Sequence, residues 1–115
     1  MDPAPGSPDP MSFIELPFDR EQLEMLCHRY GIVRVEVFGS FARGDARADS
    51  DIDVLVTFAP GNDPGLEFFG IPDQLARIFG RTVDLLTRSS LERDPNPVFR
   101  SQVLGEARVL FDAAA

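Results

Sequence analysis

A chain of 115 residues has room for one domain with one hydrophobic core, and 43% apolar residues with ten phenylalanines exclude a disordered polymer. A formal net charge of −8 excludes a general nucleic-acid binder, which needs clustered cations against the phosphate backbone. A lone cysteine, Cys27, excludes an intrachain disulfide, and no apolar run approaches the roughly 18 residues of a membrane span.

The first ten residues, Met-Asp-Pro-Ala-Pro-Gly-Ser-Pro-Asp-Pro, hold four of the ten prolines, and a disordered leader is expected over residues 1–12, with one domain over 13–115. The start has no basic-then-apolar secretory pattern, so a reducing cytoplasm is the expected location. Asp19 followed by Gln22 makes a capping pattern, and Leu23, Leu26, Cys27 and Tyr30 recur at helical spacing, which predicts an amphipathic helix closed by Gly31. Cys27 lies on the apolar stripe and is expected to be a buried thiol. His28 lies beside the stripe, without partners at metal-ligand spacing, and takes no role.

Residues 32–38 and 52–58 are β-branched and alternating, and predict two strands around a short polar segment bounded by glycine. A turn cluster at 60–65 precedes a helix from about Pro72 to Gly80, since proline is tolerated in a first turn. A third strand is expected at 82–87. Asn96-Pro97 caps and starts a last helix running to Gly105, and Arg108 to Phe111 predict a closing edge strand.

Gly39-Ser40 follows directly on a strand, Asp51-Ile52-Asp53 comes ten residues later, and Asp84 sits in the next strand. Side chains two apart on a strand share a face, with Cα atoms roughly 6 to 7 Å apart, so Asp51 and Asp53 can converge on a cation. Mg²⁺ prefers a few carboxylates plus phosphate oxygens and water to an all-protein cage. Two such carboxylates on one face repel each other unless a cation neutralises them. Glycine at the strand end permits close approach of a second backbone, and Ser40 can offer phosphate its hydroxyl and the free N–H groups of a helix start. Arg43 and Arg47 are candidates for triphosphate oxygens, and Asp84 for the metal and for the proton of an attacking hydroxyl. Taken singly, each has a plainer alternative: solvated turn aspartates, an ordinary strand-to-helix turn, loop arginines in water, a capping aspartate.

The string Gly-Ser-Phe-Ala-Arg-Gly-Asp-Ala-Arg-Ala-Asp-Ser-Asp-Ile-Asp-Val-Leu-Val, residues 39–56, resembles the signature of the DNA polymerase beta-type nucleotidyltransferase superfamily, and its minimal nucleotidyltransferases in particular. That resemblance implies an α/β (α+β) fold with a small mixed sheet packed against helices. It implies Mg²⁺ bound by Asp51 and Asp53 with Asp84 as third carboxylate, and ATP as donor. Many minimal nucleotidyltransferases are antitoxins that add AMP to a tyrosine of a HEPN-domain ribonuclease toxin, so the resemblance also implies such a toxin as partner and an assembly with it. Two alternatives stand beside this: an antitoxin that blocks its toxin by binding alone, and a nucleotidyltransferase acting on a small molecule.

Overall fold

The structure is a computed structural model and describes residues 18–62 and 65–114. The expected leader at 1–12 lies outside them. The chain runs α1 (Arg20–Tyr30), β1 (Ile32–Phe38), α2 (Ser40–Arg43), β2 (Ile52–Phe58), a 3-10 turn (Gly65–Gly70), α3 (Ile71–Phe79), β3 (Val83–Thr87), α4 (Arg88–Glu92), α5 (Pro97–Glu106) and β4 (Arg108–Asp112).

Local chemistry sets these boundaries. Asp19 caps α1 by accepting from the Glu21 and Gln22 N–H groups at 2.9 and 3.2 Å. Phe18 packs on Phe79, ring centroids 5.2 Å apart, and ties the start of α1 to the end of α3. Pro72 sits in the first turn of α3, where its missing N–H costs no hydrogen bond, and Ile71, Leu75 and Phe79 bury one face. Asn96 caps α5 by accepting from Val98 and Phe99. The unexpected element is α4, whose cap is Thr87, accepting from the Ser90 N–H at 3.1 Å.

The four strands form one mixed sheet in the order β3-β2-β1-β4. β1 pairs antiparallel with both β2 and β4, which leaves β4 at an edge as its sequence implied. β2 and β3 run parallel, and the 3-10 turn with α3 makes the crossover that parallel strands require. One face carries the main core, where Val35, Val37, Ile52, Val54 and Val56 meet Leu23 and Cys27 of α1 and Leu75 of α3. Cys27 has no exposed surface, and burial together with Glu24 pushes its thiol up to about 12, which makes it an inert packing group.

The opposite face carries a smaller core of Leu55, Leu91 and Val103, flanked by Phe38, Leu86 and Phe99. β2 is therefore buried on both faces over its middle, and only its first end is left for polar work. Leu55 is fully buried there, and Leu55→Ala is expected to cost about 2–5 kcal/mol by lost transfer energy plus a cavity, read as a shift in the urea midpoint. On the same face Glu36 is buried beside Arg34, Oε1 to Nε 3.5 Å. Among the described residues no helix is long and apolar enough to cross a membrane.

Candidate active site

The polar end of that face is built by register. Phe38, the last residue of β1, pairs with Asp53, and Asp53 pairs with Asp84 across the parallel β2–β3 ladder. Neighbouring strands lie about 4.8 Å apart and paired residues share a face, so the Asp53 and Asp84 carboxylates stand side by side. Asp51 lies one residue before β2 and is exposed. The crossover thus brings Asp84 beside Asp53, whereas Asp51 lines a separate depression with Ser50, Arg81 and Thr82 and acts on Asp53 only through its charge.

Gly39 turns the chain directly over Asp53. Its backbone has φ 75° and ψ −150°, a conformation open to glycine alone. A Cβ placed there would lie 2.1 Å from Asp53 Oδ2, so the missing side chain is what allows the carboxylate to rest against the turn. Ser40 starts α2 and is half-buried, and its carbonyl accepts from the Gly44 and Asp45 N–H groups at 2.9 and 3.0 Å, which closes the short helix.

The Asp53 carboxyl is held above its ordinary value. Burial is the largest cause, the Asp84 and Asp51 charges follow, Arg43 opposes them, and Glu106 adds a further push upward. This donor set fits a divalent cation, which would relieve both the desolvation and the repulsion. Among the described residues no group of three His, Cys, Asp or Glu side chains forms a ready-made metal cage. The fit is therefore to an ion that arrives with other oxygen ligands, as Mg²⁺ does with phosphates and water.

Arg43 reaches this site and Arg47 takes a different place. The Arg43 guanidinium donates from Nε to Asp45 at 3.3 Å and from Nη1 to Glu106 at 3.0 Å, and both contacts raise its already high pKa. Arg47 is exposed in the loop before β2, where its main chain is what the fold uses. Its N–H donates to Ser50 Oγ at 2.7 Å, and its carbonyl, with those of Ala48 and Ser50, accepts from Arg81. Arg81 stacks over Phe41 at 4.9 Å as well, so one residue fastens the loop of Arg47 and Asp51 to α2.

Sequence reasoning missed Glu106, the last residue of α5. Its Oε1 accepts from the Gly39 N–H at 3.1 Å and its Oε2 from Arg43. Burial pushes its carboxyl up, but Arg43, the Gly39 N–H and Gln102 outweigh that and hold it below the usual carboxylate range. One signal was available: a carboxylate in a last helical turn opposes the helix dipole. A cleft of about 350 Å³ opens here, with Gly39, Arg43, Asp53 and Asp84 on its polar side and Leu86 and Phe99 on its apolar side. A larger cleft, about 670 Å³, lies near the turn after β2 and the start of α4, away from the aspartates.

An aspartate pair under a glycine turn, beside a cleft with one apolar wall, suits a metal-bound nucleotide. Comparison with known proteins points the same way. The family model described as "Nucleotidyltransferase domain" matches residues 19–110. The protein adenylyltransferase MntA of Thermococcus cleftensis is 41% identical over 68 residues, which span 58% of this chain and 67% of that protein. A solved minimal nucleotidyltransferase structure is 45% identical, with a TM-score of 0.58 over 76% of this chain and 85% of that one. The fold alone is shared with one chain of the solved complex of a tri-AMPylated Shewanella oneidensis HEPN toxin with MNT antitoxin, at 21% identity and a TM-score of 0.53, over 81% of this chain and 69% of that one. Because the match runs from the cap of α1 to the last strand and takes in every aspartate of the site, this chain belongs to the nucleotidyltransferase domain family.

Proposed function

We propose that this chain transfers AMP from ATP to a hydroxyl of a partner protein, and that the partner is a HEPN-domain toxin which the modification silences. The observation that carries the reading is the in-register placement of Asp84 beside Asp53, under a turn that only glycine can make. The partner and the adenylyl group rest on the relatives, one a protein adenylyltransferase and one an MNT antitoxin in complex with an AMPylated HEPN toxin.

In this reading Asp51, Asp53 and Asp84 would hold Mg²⁺, and the ion when bound would supply neutralisation of phosphate charge. Gly39 and Ser40 offer backbone N–H groups and a hydroxyl to the phosphates, Arg43 stands at the edge of the cleft, and Arg47 serves from the loop beyond. Asp84 accepts the proton of the acceptor hydroxyl as its oxygen attacks the α-phosphorus. The bond from that phosphorus to its bridging oxygen breaks, pyrophosphate leaves, and the acceptor oxygen carries AMP. Leu86 and Phe99 give the cleft beside these carboxylates an apolar wall.

The test is transfer of α-labelled ATP, with MgCl₂, to a candidate HEPN-domain partner protein. Label on that protein, lost when EDTA is added, is the expected result. No label with both proteins verified as folded would end the adenylylation reading, and protection of cells by an Asp51→Asn/Asp53→Asn double variant would replace it with inhibition by binding.

A further inference from the structure

Glu106 stands where its own helix disfavours it. A carboxylate in the last turn of α5 faces the negative end of the helix dipole, and an unfavourable local choice of this kind marks a group held for another purpose. Its two oxygens do different things. Oε1 accepts from the Gly39 N–H at 3.1 Å and so braces the strained turn above Asp53. Oε2 accepts from Arg43 Nη1 at 3.0 Å, with Gln102 Nε2 at 3.5 Å.

Arg43 also faces Asp45, at 3.3 Å from its Nε. One guanidinium therefore serves two carboxylates, and the trio carries a formal charge of −1. An arginine in this state offers no net positive field to an arriving polyphosphate, although it lines the same cleft as Gly39 and Asp53. Phosphate oxygens accept from the same fork of donors as a carboxylate does, so Glu106 and a nucleotide compete for one group.

We propose that Glu106 is a positioning residue with two arms: one oxygen fixes the Gly39 turn, and the other parks Arg43 until the phosphates of a nucleoside triphosphate displace it. This rests on the nucleotide-binding part of the function proposed above. Because Glu106 acts through Gly39 and Arg43, its two arms separate by mutation. Glu106→Gln keeps an oxygen for the Gly39 N–H and removes the charge that holds Arg43. Glu106→Ala removes both.

The experiment is calorimetric titration of the full chain, without any acceptor protein, with the β,γ-imido analogue AMP-PNP and MgCl₂, for wild type, Glu106→Gln, Glu106→Ala, Arg43→Ala and the Arg43→Ala/Glu106→Gln pair. Glu106→Gln is expected to bind about three- to fivefold more tightly, the size of a partly exposed ion pair. That gain should vanish in the Arg43→Ala background. Glu106→Ala should bind more weakly than Glu106→Gln, because the turn has lost its brace. Glu106→Gln binding no better than wild type overturns the parking arm, as does a gain that survives Arg43→Ala, since loss of a negative charge near the phosphates would give that by itself.

A second measurement uses only wild-type protein and guards against variants that fold poorly. Saturating AMP-PNP with MgCl₂ should move the Arg43 side-chain ¹⁵Nη resonances, which report the contact with Glu106, and unmoved resonances overturn the proposal. Wild type that fails to bind AMP-PNP at all removes the nucleotide reading and this proposal with it. Wild type that binds, with Glu106→Gln unchanged, leaves that reading standing and removes only the role of Glu106.

Discussion

Asp53→Asn is expected to lower kcat/KM for AMP transfer on the order of a thousandfold or more, the range seen when a charge-stabilising group is removed from a reacting centre, while the fold melts at or above the wild-type temperature. Both halves follow from one placement. The carboxylate lies against the Gly39 turn, half-buried, with Asp84 beside it and Asp51 two residues away. Burial first, and then its acidic neighbours, raise its pKa above the ordinary value. The fold therefore favours the protonated form. That contribution is present below the ordinary aspartate range and is lost as pH rises through the raised value, so at neutral pH the ionised group works against folding. Asparagine removes the opposing charge and keeps the shape.

Melting curves from about pH 3, below the ordinary aspartate range, up to about pH 8, with and without MgCl₂, check this. Wild type should lose stability relative to Asp53→Asn as pH rises out of that range through the raised value, and at neutral pH added Mg²⁺ should restore wild type by mass action while leaving the variant nearly unchanged. A variant with full transfer activity would take Asp53 out of the machinery. A variant that melts well below wild type at pH 8 would refute the electrostatic account.

Gly39→Ala is expected to be damaging in both respects. A single methyl would lie 2.1 Å from Asp53 Oδ2 on a backbone at φ 75°, so the turn, the carboxylate or both must move. The backbone strain alone is about 1–3 kcal/mol. Displacing Asp53 by even an ångström costs on the order of a hundredfold in rate, because the reacting atoms depend on its position. Chemical denaturation and labelled-ATP transfer measured on the same preparation give the two numbers. Near-wild-type activity would mean that the turn relaxes without disturbing Asp53, and that glycine is there for the backbone alone.

Most of the strands and the longer helices were legible because periodicity and capping agree. β1 and β2 begin and end where the alternation of β-branched residues does, and α1 and α5 start at the Asp19 and Asn96 caps. α4 was not legible, since five residues with one buried leucine, Leu91, give no periodic signal. In the candidate site, Gly39, Asp53 and Asp84 were legible as strand-end and in-strand positions with unsuitable residue types. The same reasoning grouped Arg43 with Arg47, which the fold separates: only one of them lines the cleft. Glu106 and Arg81 stayed hidden because their partners are backbone groups 67 and 31 to 34 residues away, and a backbone N–H or C=O carries no residue-type signal.

The parallel pairing of β2 with β3 has a consequence in time. Local hairpin-like pairing can set β1 against β2 early, but Asp84 reaches Asp53 only after the crossover through α3 has closed, a long-range step that is slow relative to local pairing. The carboxylates begin to repel one another at that same step. A refolding chain in which β3 has not yet docked lacks the Asp53–Asp84 pair that the proposed Mg²⁺ site needs. Metal-dependent protection should therefore arise in the last kinetic phase of folding, after most of the helical signal has returned.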